Sequence, residues 1–167
     1  MSEDVKIVEF GPYRAIGMGC VAKNEHGEFA DLWMRESGFL KRMHEIDALP
    51  GIGSFGLCRC APGVTDGSFE YIAALPAKPD APVPEGMVEA PIPAGTYAVF
   101  TAPSLAEIPQ TWSATQAWMA SHPEWKSYCE PTDTGCDCID HPNFELYPPG
   151  FNGENELFIY IPLRKGL

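Results

Sequence analysis

A chain of 167 residues, 45% hydrophobic and 20% charged, holds enough apolar material for one ordinary domain with a real core. Its formal net charge of -12, with only 11 lysines and arginines, argues against nucleic-acid phosphates and anionic membrane surfaces as partners and favours attraction of cations. The acidic start MSEDVKIVEF lacks the n-region and apolar h-region of a secretory signal, and no apolar run approaches membrane-spanning length, so a cytoplasmic protein is expected.

In chain order, KIVEFGPYRAIGMGCVA has a β pattern interrupted by Gly11-Pro12, which predicts a bend or bulge. The segment EFADLWMRESGFLKRMHEI then places Phe29, Leu32, Trp33, Leu40 and Met43 at helical spacing. After the turn signal LPGIG come two short strands, SFGLCRCA and FEYIAALPA, joined by PGVTDG. The Pro-rich AKPDAPVPE, residues 77–85, cannot continue a strand or helix and divides the chain.

Beyond it the same signals recur: MVEAPIPAGTYAVFTA as strand and SLAEIPQTWSATQAWMAS as helix. Ser104 and Glu107 have capping-box spacing, with Pro109 as the alternative mark of the first turn. A hairpin follows, NFELYPP and ELFIYIPLR around the loop GFNGEN, with Phe144 in the place of Phe55 and Pro162 in that of Pro76, each proline expected to end its strand. The expected fold is α+β: duplicated β-α-β-β units, residues about 5–77 and 86–165 of a single domain. They form a curved antiparallel sheet with two helices on one face and a groove on the other.

Six cysteines fit a reducing compartment, where thiols are mostly unbridged and act as small apolar residues. Cys129, Cys136, Cys138 and His141 share a loop and have enough donors for zinc, but their C-x6-C-x-C-x2-H spacing matches no common zinc module, so a metal-free loop is expected. His26, His44, His122 and His141 have no nucleophile pattern around them, and there is no phosphate-cradling Gly-rich loop.

Taken together, FGLCRCAPGVTDGSFEYIAALPA, VPEGMVEAPIPAGTYAVFTA, a Trp-bearing helix and the closing hairpin resemble the GyrI-like, or AraC-type, effector-binding domain over nearly the whole chain. The resemblance implies a groove that binds small molecules, often lipophilic cations, without a cofactor. Many relatives carry a helix-turn-helix domain for which no residues remain here, so a stand-alone module is implied. Its partners would be a small hydrophobic or cationic ligand, and a separate regulator protein or a second copy of the chain, with no direct nucleic-acid or membrane contact. The stretch CEPTDTGCDCIDH is longer than is usual in the family and would supply a lid or extra wall.

Cation-binding members carry an acid in an FE-x-Y strand at the bottom of an aromatic pocket, and Glu145, between Phe144 and Tyr147, matches it. Alternation along the strand puts Glu145 and Tyr147 on one face and Phe144 and Leu146 on the other. The bland reading is a carboxylate accepting hydrogen bonds from backbone or tyrosine; the functional one is a ligand partner. Tyr160 matches a pocket aromatic, and Phe158 stands where some members have a second acid. Trp33 and Trp112 fall at similar places in the two helices, where core packing is the first expectation and pocket lining the second. Gly56 and Cys58 occupy the positions of Glu145 and Tyr147 in the first half, and such small groups would open space for ligand. The leading expectation is therefore a binding module; the alternatives are a hydrolase of reactive electrophiles such as cyclopropanoids, using the same acid, and a macromolecule-binding protein of the gyrase-inhibitor kind.

Overall fold

In the computed structural model, residues 5–61, 66–128, 131–132, 135–136 and 139–166 are described, with 131–132 and 135–136 described as backbone only. The strands are β1 (Lys6–Phe10), β2 (Tyr13–Ala22), β3 (Ser54–Arg59), β4 (Phe69–Ala77), β5 (Val88–Ile92), β6 (Gly95–Ala102), β7 (Trp125–Ser127), β8 (Pro131–Thr132), β9 (Gly135–Cys136), β10 (Asn143–Tyr147) and β11 (Leu157–Lys165). The helices are α1 (Glu28–Met34), α2 (Phe39–Arg42) and α3 (Ile108–Ser121). The main sheet is antiparallel throughout and runs β1-β6-β11-β10-β3-β4-β2-β5, with β7 added beside β11. The fold class is the α+β arrangement of curled sheet and helices that the sequence suggests.

The expected bend at Gly11-Pro12 exchanges strands between the two halves. β1 leaves the first half to pair with β6, and β5 leaves the second to pair with β2. Lys6 faces Val99 and Phe10 faces Gly95; Tyr13 then faces Ile92 and Gly17 faces Val88, so one antiparallel register continues through the crossing. Gly11 sits there at φ +84°, where a Cβ would lie 2.8 Å from the Pro93 carbonyl oxygen of the opposite chain segment. Both the backbone conformation and the close approach demand glycine.

The sheet has two different faces. From one, residues of β2, β3, β4, β5, β6 and β10, including Phe55, Leu57, Ile72, Ile92, Tyr97 and Phe144, form a single cluster. Phe10, Tyr13, Phe158 and Tyr160 pack against it. The other face carries the helices. Leu32 and Phe39 of α1 and α2 bury against Ile16, Tyr71 and Ala73, while Trp112, Trp118 and Met119 of α3 cover Phe100, Ile159 and Ile161.

Several local expectations change. The first helical segment is broken in two: Arg35 is extended, Gly38 donates its N–H to the Arg35 carbonyl, and a side chain at 38 would strike the Leu32 carbonyl at 2.6 Å. The break rotates the apolar stripe, so that Phe39 is fully buried and Leu40, expected inward, is exposed. α3 starts at Ile108 with Pro109 in its first turn, and Ser104 hydrogen-bonds the Glu107 carboxylate without capping an N–H. Pro162 does not end its strand, because β11 runs on to Lys165 and pairs there with β7.

Thiols were expected to be mostly unbridged; Cys60 is disulfide-bonded, whereas Cys20 and Cys58 are not. Cys129, Cys138 and the Cys136 side chain lie outside the described residues, as does much of the suggested lid. His141, from the same loop, stacks on Tyr128 at 3.8 Å. Among the described residues no group of His, Cys, Asp and Glu has the geometry of a metal site, and no helix is long and apolar enough to cross a membrane.

If the crossing depends on Gly11, Gly11→Ala forces a left-handed backbone and the Pro93 contact on a residue with a Cβ. It should lower unfolding free energy by about 1–3 kcal/mol. Equilibrium urea denaturation would show this as a lower midpoint with an unchanged slope.

Candidate functional site

A cavity of about 680 Å³ opens between the helices on the helix-bearing face of the sheet. This cavity does not lie on the opposite face, where the groove was expected and where the aromatic cluster around Phe144 packs. α1 and α2 contribute Phe29, Trp33, Met34, Leu40 and Met43 to the cavity wall, and Leu105 and Ile108 come from the start of α3. The floor is Tyr71, Glu145 and Tyr147, and the turn after β10 adds Pro148 and Phe151. Met34, Leu40 and Leu105, at 71%, 49% and 46% exposure, are large apolar side chains left in water, and all three border this cavity. Such a cluster marks a binding mouth more often than a folding defect.

Glu145 is 7% exposed, and both of its carboxylate oxygens accept hydrogen bonds. The Tyr147 hydroxyl donates to Oε1 at 2.5 Å and the Tyr71 hydroxyl to the same oxygen at 3.3 Å, while Trp112 Nε1 donates to Oε2 at 3.1 Å. Trp33 Nε1 donates in turn to the Tyr71 hydroxyl oxygen at 2.9 Å. Thus α1 and α3 each send one indole into the same network. No lysine or arginine pairs with Glu145 among the described residues. Burial raises the carboxyl above its usual range, and the bonds from Tyr147, Trp112 and Tyr71 offset this only in part. The same burial, with the acid alongside, pushes the Tyr71 and Tyr147 phenols well up, so both stay protonated donors.

Gly56 lies directly opposite Glu145 in the β3–β10 register. A Cβ there would come within 2.3 Å of the Tyr71 hydroxyl and 2.8 Å of Glu145 Oε1. The space that glycine leaves is filled by the hydrogen bond between those groups, where the sequence suggested room for ligand. Cys58, one pleat along, packs under the first pair of helices and does not border the cavity.

Of the other residues singled out from sequence, Glu145, Tyr147 and Trp33 come together at the cavity, and Trp112 holds the carboxylate from beside it. Phe158 and Tyr160 do not join them. Phe144 pairs with Tyr160 and Leu146 with Phe158, so Glu145 faces Ile159 and the two aromatics point to the opposite face. There Tyr160 stacks on Phe144 at 4.9 Å. Tyr71 and Phe29, stacked on each other at 4.2 Å, are site residues that sequence reasoning did not select. The available signal was that β4 reads Phe-Glu-Tyr, close to the acid strand's own pattern, and that its tyrosine falls opposite Cys58.

A sequence model of integron-associated effector binding proteins, Cass2, matches residues 6–163. The transcriptional regulator BrlR of Pseudomonas aeruginosa is 34% identical over 164 residues, 95% of this chain and 54% of BrlR, so the chain spans about half the length of that curated relative. Among solved structures, SAV2435 bound to tetraphenylphosphonium is 15% identical with a TM-score of 0.67, covering 96% of this chain and 94% of the other. The integron cassette protein VCH_CASS2 from Vibrio cholerae is 17% identical with a TM-score of 0.56, covering 96% and 95%. At such identities the structural likeness speaks for the fold alone.

The raised carboxyl carries a pH signature for the protein without ligand. Glu145 holds its proton to higher pH folded than unfolded, so its contribution to stability is present below the unfolded value and is lost as pH rises through the folded one. Glu145→Gln removes this dependence. Measured by chemical denaturation at a series of pH values, the variant's stability relative to the parent should therefore increase from about pH 4.5 upward. A constant difference across the series would mean that the acid titrates alike in both states.

Proposed function

The chain belongs to the Cass2 family of integron-associated effector-binding proteins, and on that premise we propose that it binds a small lipophilic cation between α1 and α3, with Glu145 as the charge partner. The observation that carries this reading is a buried carboxylate held by three neutral donors, without a cation among the described residues, at the floor of an apolar cavity. An ionised group in such a place is costly until a positive charge arrives, so the site is poised for one.

The rings of Phe29, Trp33, Tyr71, Tyr147 and Phe151 would surround the bound charge and add cation–π attraction at about 0.5–2 kcal/mol per ring. Met34 and Met43 are unbranched and polarizable, and suit a wall that adapts to ligands of more than one shape. The net charge of -12 favours approach of a cation. The tetraphenylphosphonium found with SAV2435 is a lipophilic cation, which supports the same ligand class here. The roles of Trp112 and Gly56 in this reading are to fix the carboxylate, while Phe158, Tyr160 and Cys58 act only through the packing of the sheet.

Glu145→Gln keeps the shape of the side chain and removes its charge. A planar cationic dye should then bind about 1–3 kcal/mol more weakly, and a neutral dye of equal size should change by less than about 0.5 kcal/mol. Equal losses for both dyes would make the acid a structural group. The hydrolase alternative gives a third pattern: a neutral electrophile would still bind the variant, and its turnover would be abolished.

A further inference from the structure

Tyr71 is the hinge of the network. It stands on β4, two strands away from Glu145 on β10, with β3 between them. Its phenol reaches the acid only because β3 presents Gly56 at the crossing point, where any Cβ would occupy the place of the hydroxyl. The hydroxyl oxygen accepts the Trp33 Nε1–H, so its own proton is turned toward Glu145 Oε1. A single phenol thereby joins the α1 wall of the cavity to the acid at its floor.

We propose that Tyr71, admitted by Gly56 and oriented by Trp33, is a positioning residue that sets the proton affinity of Glu145, and with it the pH above which the site accepts a cation. The inference rests on the cation-binding reading above. A hydroxyl that donates to the ionised carboxyl stabilises that form over the protonated one, and each such donor lowers the pH at which the charge appears. The groups facing the carboxyl are Tyr71 from β4, Tyr147 from its own strand β10 and Trp112 from α3, with the Cys58 thiol of β3 nearby. Of the charged side chains on α1 and α2, Asp31 pairs with Arg35, Arg42 with Glu45, Glu28 accepts the His26 backbone N–H, and Lys41 is exposed to solvent and does not line the cavity. Tyr147 and Trp112 keep their bonds when Tyr71 is changed, so the site retains its acid and loses one donor.

The test is the pH dependence of binding for a permanently charged planar dye, ethidium, and a neutral dye, Nile red, each titrated into the full chain. In the parent protein ethidium affinity should fall as pH drops through a midpoint that Glu145→Gln abolishes. Tyr71→Phe should move that midpoint upward by about one pH unit, as expected for one lost hydrogen bond to a charged group. Trp33→Phe, which releases the Tyr71 hydroxyl and trims one ring of the wall, should move the midpoint the same way by less, whatever it does to the affinity of both dyes at a fixed pH. Nile red affinity should stay flat with pH in all of them. Thermal melts identify which variants fold, and Trp33→Phe keeps the test open where Tyr71→Phe does not. A midpoint unmoved in the folded variants, or equal loss of both dyes at every pH, overturns the proposal and leaves Tyr71 as packing. Absence of any midpoint in the parent, with ethidium binding unchanged by Glu145→Gln, overturns the cation reading itself and is a distinct result.

Discussion

The constraint on which this structure turns is the burial of one carboxylate. Glu145 lies in the middle of a strand, beneath a layer of helices, where an unpaired charge is among the least favourable things a protein can hold. Three neutral donors reach it from two strands and α3, and a fourth, Trp33, fixes one of those donors from α1. Even the sheet accommodates it, since Gly56 on the neighbouring strand gives up its side chain so that a phenol can pass. These devices make the acid tolerable without neutralising it. A group kept partly satisfied in a cleft is a functional candidate on physical grounds, apart from any likeness to other proteins.

The remainder of the fold holds this arrangement still. Exchange of β1 and β5 between the halves ties them into one sheet, and the aromatic cluster on the far face stiffens the floor from behind. Tyr160 and Phe158 contribute there, through packing on Phe144 and Leu146, and their distance from Glu145 is a matter of register. The cavity walls are less regular. Two short helices separated by a glycine turn present Trp33 inward and leave Met34 and Leu40 at the mouth, a division of labour that one continuous helix of the same sequence would not give.

Element order, the bend at Gly11-Pro12 and the candidate acid were legible in the sequence, because strand alternation, turn residues and the FE-x-Y pattern are local signals. The opposite placement of Phe158 and Tyr160 was not. Which residues meet across a hairpin depends on its register, and a shift of one residue would have put both beside Glu145. The strand exchange was hidden for a related reason: a Gly-Pro bend announces a change of direction without saying which strand lies beyond. Gly56 was misread because the gap left by a small residue can be filled by a neighbour two strands away, and Tyr71 was missed because its role needs that gap. Bridging of Cys60 was hidden as well, since spacing along the chain says nothing about contacts across the fold.

The central claim is that a bound cation sits against Glu145 on the helix-bearing face. A crystal structure of this protein with tetraphenylphosphonium tests it most directly. The account predicts the phosphonium between α1 and the start of α3, with phenyl rings against Phe29, Trp33 and Tyr147 and its charge facing the Glu145 carboxylate. Density for the cation on the opposite face, beside Tyr160 and Phe158, or at the helix-bearing face but remote from the carboxylate, would contradict it.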